Sequence, residues 1–232
     1  QHIEDVHKVK VSALVSAYYA DYFLQGRIEN LLAQVPAPEV VVICLEGSRE
    51  HEIALKYPVL VLTTEHIPTI GEAWNLGIIH AGGDYLVIAN SDDRFFEGGV
   101  KMLSDVLDNN ADVGYVFSDQ HLTIKGITER RFDHGRIGRG GKVENIKGLL
   151  AERYFCGSCP MWRRSLHVHY GYFNEGYIVA SDYEWARRLA NGGVGFYYLP
   201  ESVGLYPIRN DSLEHRNQEL CRIESREIRG AA

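Results

Sequence analysis

At 232 residues, 45% of them hydrophobic, the chain is long enough to bury a full core without disulfide or metal support. A formal net charge of -7 argues against a general nucleic-acid binder, and no apolar run approaches the ~20 residues that cross a bilayer. Four cysteines are too few for a disulfide scaffold, so a soluble domain in a reducing, cytoplasmic setting is expected, with peripheral membrane association left open.

Residues 1–9 are polar and read as a flexible, linker-like start. A strand follows over 9–16, then a helix that begins near Asp21 and places Leu24, Ile28, Leu31, Leu32 and Val35 on one face. The continuous apolar run over 40–45 suits a parallel strand covered on both sides. Further strands are expected over 58–63, 84–89 and 113–118, with helices over 70–81 and 98–109 between them. This rhythm predicts βαβ units and a doubly wound, mostly parallel α/β sheet flanked by helices.

The strand over 84–89 runs through Asn90 and Ser91 into two adjacent carboxylates, Asp92 and Asp93. In an open α/β sheet, ligands bind at the carboxyl ends of the strands, where such acids can hold a divalent cation and a phosphorylated ligand. The plainer reading makes Asp93 the cap of the next helix. Residues 125–142 carry five glycines and the cations Lys125, Arg130, Arg131, Arg136, Arg139 and Lys142 without periodicity. They read as a solvated loop or as a lid over phosphates. Helices are expected over 143–151 and 181–190, short strands over 160–163, 195–199 and 202–208, and a small antiparallel part with them. One charged C-terminal helix is expected over 212–228, with Leu213, Leu220 and Ile223 as its apolar stripe. Cys156 and Cys159 form a C-x-x-C followed by His167 and His169, but the spacing fits no common zinc module.

In order, the motifs resemble those of the family 2 glycosyltransferases and their GT-A fold. The family's V-S-V-I-I-P-x-Y-N strand is matched by V-S-A-L-V-S-A-Y over 11–18, and its S-L-L-A-Q by N-L-L-A-Q over 30–34. D-D-G-S is matched by L-E-G-S over 45–48, A-R-N-x-G-I by A-W-N-L-G-I over 73–78, and G-x-Y-I-x-x-L-D-S-D-D by G-D-Y-L-V-I-A-N-S-D-D over 83–93. R-R-S-L-H-V-H-Y-G-Y-F-N-E over 163–175 and S-D-Y-E-W-A-R-R over 181–188 stand where the family has R-R…G-x-F-D-E and E-D-x-x-L-x-x-R.

The resemblance implies a GT-A domain over 10–210, with a nucleotide-binding half up to 125 and an acceptor-binding half over 126–210, followed by a C-terminal helix over 211–232. It implies a non-processive, inverting transferase that takes a sugar from a nucleoside diphosphate, UDP- or TDP-linked, to a hydroxyl of a glycan or similar acceptor, as in polysaccharide biosynthesis. It makes Asp93 the ligand of Mn²⁺ or Mg²⁺ and Asp182 the general base, with Ser16, Tyr18, Glu46, Asn75, Asp92 and Arg209 on the donor nucleotide. Ordinary roles stand beside these: an N-cap for Asp182, a turn acid for Glu46, a surface cation for Arg209. Leu45, Trp74, Asn90 and Ser181 depart from the family's residues. They suggest an alternative, a catalytically drifted GT-A module that binds carbohydrate or nucleotide sugar. A sugar nucleotidyltransferase would need a glycine-rich phosphate loop after the first strand, which A-Y-Y-A-D-Y-F over 17–23 does not offer.

Overall fold

The computed structural model describes residues 10–124, 127–130 and 140–230. In chain order the first half holds β1 (Val11–Ala17), α1 (Asp21–Leu32), β2 (Glu39–Leu45), α2 (Arg49–Ala54), β3 (Leu60–Thr64), α3 (Ile70–His80), β4 (Tyr85–Ile88), β5 (Arg94–Phe95) and α4 (Gly99–Asn109). The second half holds β6 (Val113–Ile124), β7 (Ile127–Arg130), β8 (Gly141–Lys142), α5 (Ile146–Glu152), β9 (Met161–Arg163), α6 (Leu166–Tyr170), α7 (Ser181–Asn191), β10 (Gly195–Pro207), α8 (Leu213–Arg216) and α9 (Gln218–Arg229).

The strands join one mixed sheet of order β3-β2-β1-β4-β9-β6-β10-β5, with β7 on β6 and β8 on β10. Strands β3, β2, β1 and β4 are parallel, as their unbroken apolar runs require. Strand β9 enters antiparallel between β4 and β6 and so joins the halves on either side of residue 125 into one sheet. Side chains alternate across it. Val11, Ala13, Val15 and Ala17 of β1 pack with α1 and α4 on one face, while Leu14 packs with α3 and α7 on the other.

The expected doubly wound α/β sheet is present, with several differences of detail. Helix α2 stands where the sequence pattern assigned no element; Ser48 caps it by accepting from the His51 amide at 3.2 Å. Residues 127–130 and 141–142 of the basic segment are strand, whereas 125–126 and 131–139 lie outside the described residues. The two short strands expected over 195–208 are one strand, β10, bent by register shifts between Leu199 and Leu205. Val35, placed on the buried face of the first helix by periodicity, is 76% exposed beyond that helix's end.

The C-terminal helix is corrected most. It breaks at Asn217 into α8 and α9, and the expected stripe is not buried: Leu213 is 45% and Ile223 50% exposed. The buried side chain is Glu224, whose carboxylate accepts from the amides of Ile178, Val179 and Ala180 at 2.8, 2.9 and 2.9 Å. These are donors just ahead of α7, which has no side-chain cap of its own. Removing the carboxylate strands buried N–H groups, so Glu224→Ala should cost about 3 kcal/mol or more in chemical denaturation. A loss below ~1 kcal/mol would show that α9 does not hold the start of α7.

Candidate active site

The site forms where β1, β2 and β4 end. Ser16 and Tyr18 close β1, Glu46 follows β2, and Asn90, Ser91, Asp92 and Asp93 follow β4. The Tyr18 hydroxyl meets Thr64 Oγ1 at 2.9 Å, and the Glu46 amide donates to the Thr64 carbonyl at 3.0 Å while its side chain stays exposed. Helix α4 is not capped by Asp93: its cap is Gly98, at φ 75°, a backbone that favours glycine.

Asp93 is almost completely covered, at 2% exposure. Ser158 Oγ donates to its Oδ2 at 2.6 Å and Asn90 Nδ2 to the same oxygen at 3.4 Å, while Oδ1 is buried without a partner. Burial raises the carboxyl pKa to about 7, the neighbouring Asp92 adds to the rise, and the Arg27 guanidinium pulls against it. Arg27 is fully buried, packed at 4.7 Å over the Phe95 ring and tied to Asn30 Oδ1 at 3.1 Å. Burial lowers its own pKa to about 10, which leaves it charged at neutral pH. Arg27 was not predicted. Its signal was a cation inside the apolar stripe Leu24, Ile28, Leu31 of α1.

Arg209 reaches back from beyond β10 to Asp92, Nη1 to Oδ2 at 3.1 Å. It also pairs with Asp211 at 2.7 Å and lies 4.1 Å over the Phe23 ring. Its neighbour in sequence, α8, continues toward the second acid, since the Glu214 carboxylate adds to the upward shift at Asp182.

Asp182 stands in the first turn of α7, where it does not act as the cap; its Oδ1 accepts instead from the adjacent Tyr183 amide at 2.8 Å. Burial raises its pKa to about 7 against the Tyr183 amide and the Tyr154 hydroxyl, which both favour the anion. Residues 154–159 therefore run between the two acids, with Tyr154 and Cys156 beside Asp182 and Ser158 on Asp93. Cys156 and Cys159 are buried thiols whose pKa burial pushes up, that of Cys159 to about 12. Both stay protonated at neutral pH, and no cluster of three or more metal-ligating side chains occurs among the described residues.

Asn75, expected on the donor nucleotide, has its side chain engaged within the protein: its amide donates to the Phe173 carbonyl at 3.0 Å and Glu175 Oε1 at 2.8 Å and accepts from the Phe173 amide at 2.9 Å, pinning the 173–175 turn. Trp74, in the place of the family's arginine, is buried in the core with its ring 5.1 Å from that of Phe173.

Comparison with known proteins agrees with this architecture. The sequence comparison with curated proteins found no match. Residues 1–349 of S. aureus TarS in complex with UDP-GlcNAc superpose with a TM-score of 0.74 at 16% identity, over 92% of this chain and 65% of that one. The mannosyltransferase PcManGT from Pyrobaculum calidifontis, in complex with GDP-Man and Mn²⁺, superposes with a TM-score of 0.69 at 17% identity, over 97% of this chain and 65% of that one. The chain thus spans about two thirds of the length of these structures, and at such identity the likeness is one of fold. The model of "Glycosyl transferase family 2" matches residues 12–171, well over half of the chain, and the protein belongs to that family.

Proposed function

We propose that this domain transfers a sugar from a nucleoside diphosphate to a hydroxyl of a glycan or similar acceptor, with inversion at the anomeric carbon. The observation that carries this reading is the pairing of Asp93 and Asp182 on either side of residues 154–159, each with a carboxyl pKa raised to about 7 by burial. A base poised near the working pH combines a populated anion with enough basicity to take a hydroxyl proton. Asp182 accepts the acceptor's proton while the acceptor oxygen bonds to the anomeric carbon. The bond from that carbon to the diphosphate breaks, and its electron pair leaves with the diphosphate.

The residues present fit a divalent cation. Asp93 offers one buried oxygen without a partner, and Mg²⁺ or Mn²⁺ is commonly held by one or two carboxylates with substrate phosphates completing the shell. Asp93 would hold the ion with Asp92 beside it, and the ion would neutralise charge on the departing diphosphate. Arg209, now on Asp92, supplies a cation within reach of the same acid pair. The donor complexes of TarS and PcManGT support the nucleotide-sugar reading. The free thiols of Cys44, Cys156, Cys159 and Cys221 suit a reducing compartment such as the cytoplasm. We infer a glycan acceptor and no nucleic-acid partner.

The experiment that tests the reading is calorimetric titration of UDP, TDP, CDP and GDP with and without Mn²⁺. The family resemblance puts Glu46, exposed at the end of β2, on the donor base, and UDP or TDP is expected to bind more tightly than GDP. Equal or tighter GDP binding would defeat that preference. No Mn²⁺-dependent binding of any nucleotide would favour a drifted binding module.

A further inference from the structure

The turn that carries Asp182 is held from outside by α9. Helix α7 has no side-chain cap of its own, so the amides just ahead of it need an acceptor from elsewhere. Glu224 of α9, 5% exposed, supplies it: Oε1 accepts from the Ile178 amide at 2.8 Å, and Oε2 from the Val179 and Ala180 amides at 2.9 Å each. A negative charge there also suits the positive end of the α7 dipole. Arg187 of α7 closes the contact in return by donating to the Ile228 carbonyl of α9. The residues on either side of Asp182 are pinned as well. Ser181, fully buried, has its Oγ 3.0 and 3.1 Å from the carbonyl oxygens of Asn174 and Tyr177, and the Tyr183 hydroxyl donates to the Leu150 carbonyl at 2.6 Å. Gly71 of α3 packs so closely that a Cβ there would come within 3.0 Å of Ser181 Oγ, which leaves little room on that side for a larger residue. Ser181 stands where the family motif has an acid; the carboxylate at the start of α7 comes from α9 instead.

We propose that Glu224 is a positioning residue for Asp182: by fixing residues 178–180 it sets the first turn of α7, and with it the direction in which the Asp182 carboxylate meets the acceptor hydroxyl. This rests on the role of Asp182 as base proposed above. The physical reason is that the carboxylate cannot move independently of the turn. Asp182 is two residues beyond the last amide that Glu224 holds, and its Oδ1 accepts from the Tyr183 amide, so a shift of the turn carries the carboxylate with it. A base must lie within hydrogen-bond reach of the proton it takes, and a misplacement of ~1 Å there can cost on the order of 10²-fold. The donor residues stand at the ends of β1, β2 and β4, on other elements, so the same shift leaves donor binding largely untouched.

The test compares wild type, Glu224→Gln, Asp182→Asn and the double variant. Glutamine is nearly isosteric, but whichever way its amide is placed it turns an N–H toward backbone N–H groups that now have an acceptor. Turnover is read in Mn²⁺ as release of nucleotide from UDP-GlcNAc, TDP-glucose and GDP-mannose, with water in the acceptor's place. Rates are expressed per nucleotide-binding site counted by titration of the same sample, so unfolded protein does not enter. Glu224→Gln should lower kcat by about 10- to 100-fold while nucleotide affinity stays near wild type. The double variant should be no slower than Asp182→Asn alone, because a base already removed cannot be misplaced. Glu224→Asp keeps the charge but is one methylene shorter; it should slow turnover in the same direction, and it decides the matter if Glu224→Gln does not fold. Wild-type kcat in folded Glu224 variants would overturn the inference and leave the base standing. Losses that add in the double variant, or that fall equally on nucleotide affinity, would overturn it too, by showing that α9 serves the fold at large. Asp182→Asn at the wild-type rate, or no release by wild type from any of these donors, would overturn the functional reading and this inference with it.

Discussion

Asp182→Asn should lower turnover by about 10²- to 10⁴-fold, the contribution typical of a general base, while donor affinity stays near wild type. The substitution is nearly isosteric, and asparagine retains an oxygen for the Tyr183 amide that Asp182 Oδ1 now accepts at 2.8 Å. What disappears is the capacity to take a proton. Because the pKa of Asp182 is raised to about 7, wild-type kcat should climb with pH through that region as the carboxylate forms, then level off. The variant should lose this limb as well as its rate. A product that keeps the donor's anomeric configuration, or a variant that turns over at close to the wild-type rate, would overturn the single in-line displacement even with the fold unchanged. A merely structural Asp182 predicts a near-silent substitution.

Asp93→Asn should abolish Mn²⁺-dependent nucleotide binding and, in the absence of metal, stabilise the protein above neutral pH. The sign follows from linkage. The folded pKa, about 7, lies above the value of about 3.9 for an unfolded aspartate, so the folded state binds the extra proton between them. The stability this confers is complete below the unfolded pKa and is lost as pH rises through the folded one. Asparagine behaves as the permanently neutral form and escapes that loss, by an amount on the order of a few kcal/mol for a shift of this size. Arg27 opposes the trend but does not reverse it, since burial outweighs its attraction. Denaturant melts at pH 5 and pH 8 in EDTA measure the difference, which should already be present at the lower pH, about one pH unit above the unfolded pKa, and roughly two- to threefold larger at the higher. Undiminished Mn²⁺-dependent UDP binding in folded Asp93→Asn would remove Asp93 from the metal site.

Both substitutions reflect one economy of the fold. Two carboxylates are kept in surroundings that disfavour their charge, at a cost to the free protein that a cation and a proton-donating acceptor would relieve. Ionisable groups with pKa values displaced toward the working pH are a common property of catalytic sites.

The local pattern of residues sufficed for the parallel half of the sheet and for the acid turn. The apolar runs over 40–45 and 85–88 can only be satisfied between covering helices, and a strand that ends in Asp92 and Asp93 must deliver them to the ligand edge of such a sheet. Periodicity also placed Asp182 at the start of a helix. It failed where burial is decided by a distant partner. The stripe of the last helix was read from Leu213, Leu220 and Ile223, yet the residue that turns inward is Glu224, because three amides ahead of α7 require an acceptor and an isolated helix carries no record of them. The hold of the Asn75 amide on the 173–175 turn likewise left no mark in the local pattern around residue 75. Strand β5 is two residues long and owes its existence to β10, far along the chain. The surroundings that set the proton affinities of Asp93 and Asp182, with Arg27 beneath one and Tyr154 beside the other, come from α1 and the 154–159 segment. Desolvation and hydrogen-bond direction depend on what lies next to a group in space, so the places of Asp93 after β4 and Asp182 at the start of α7 were legible in the sequence, whereas their proton affinities were decided by the tertiary structure.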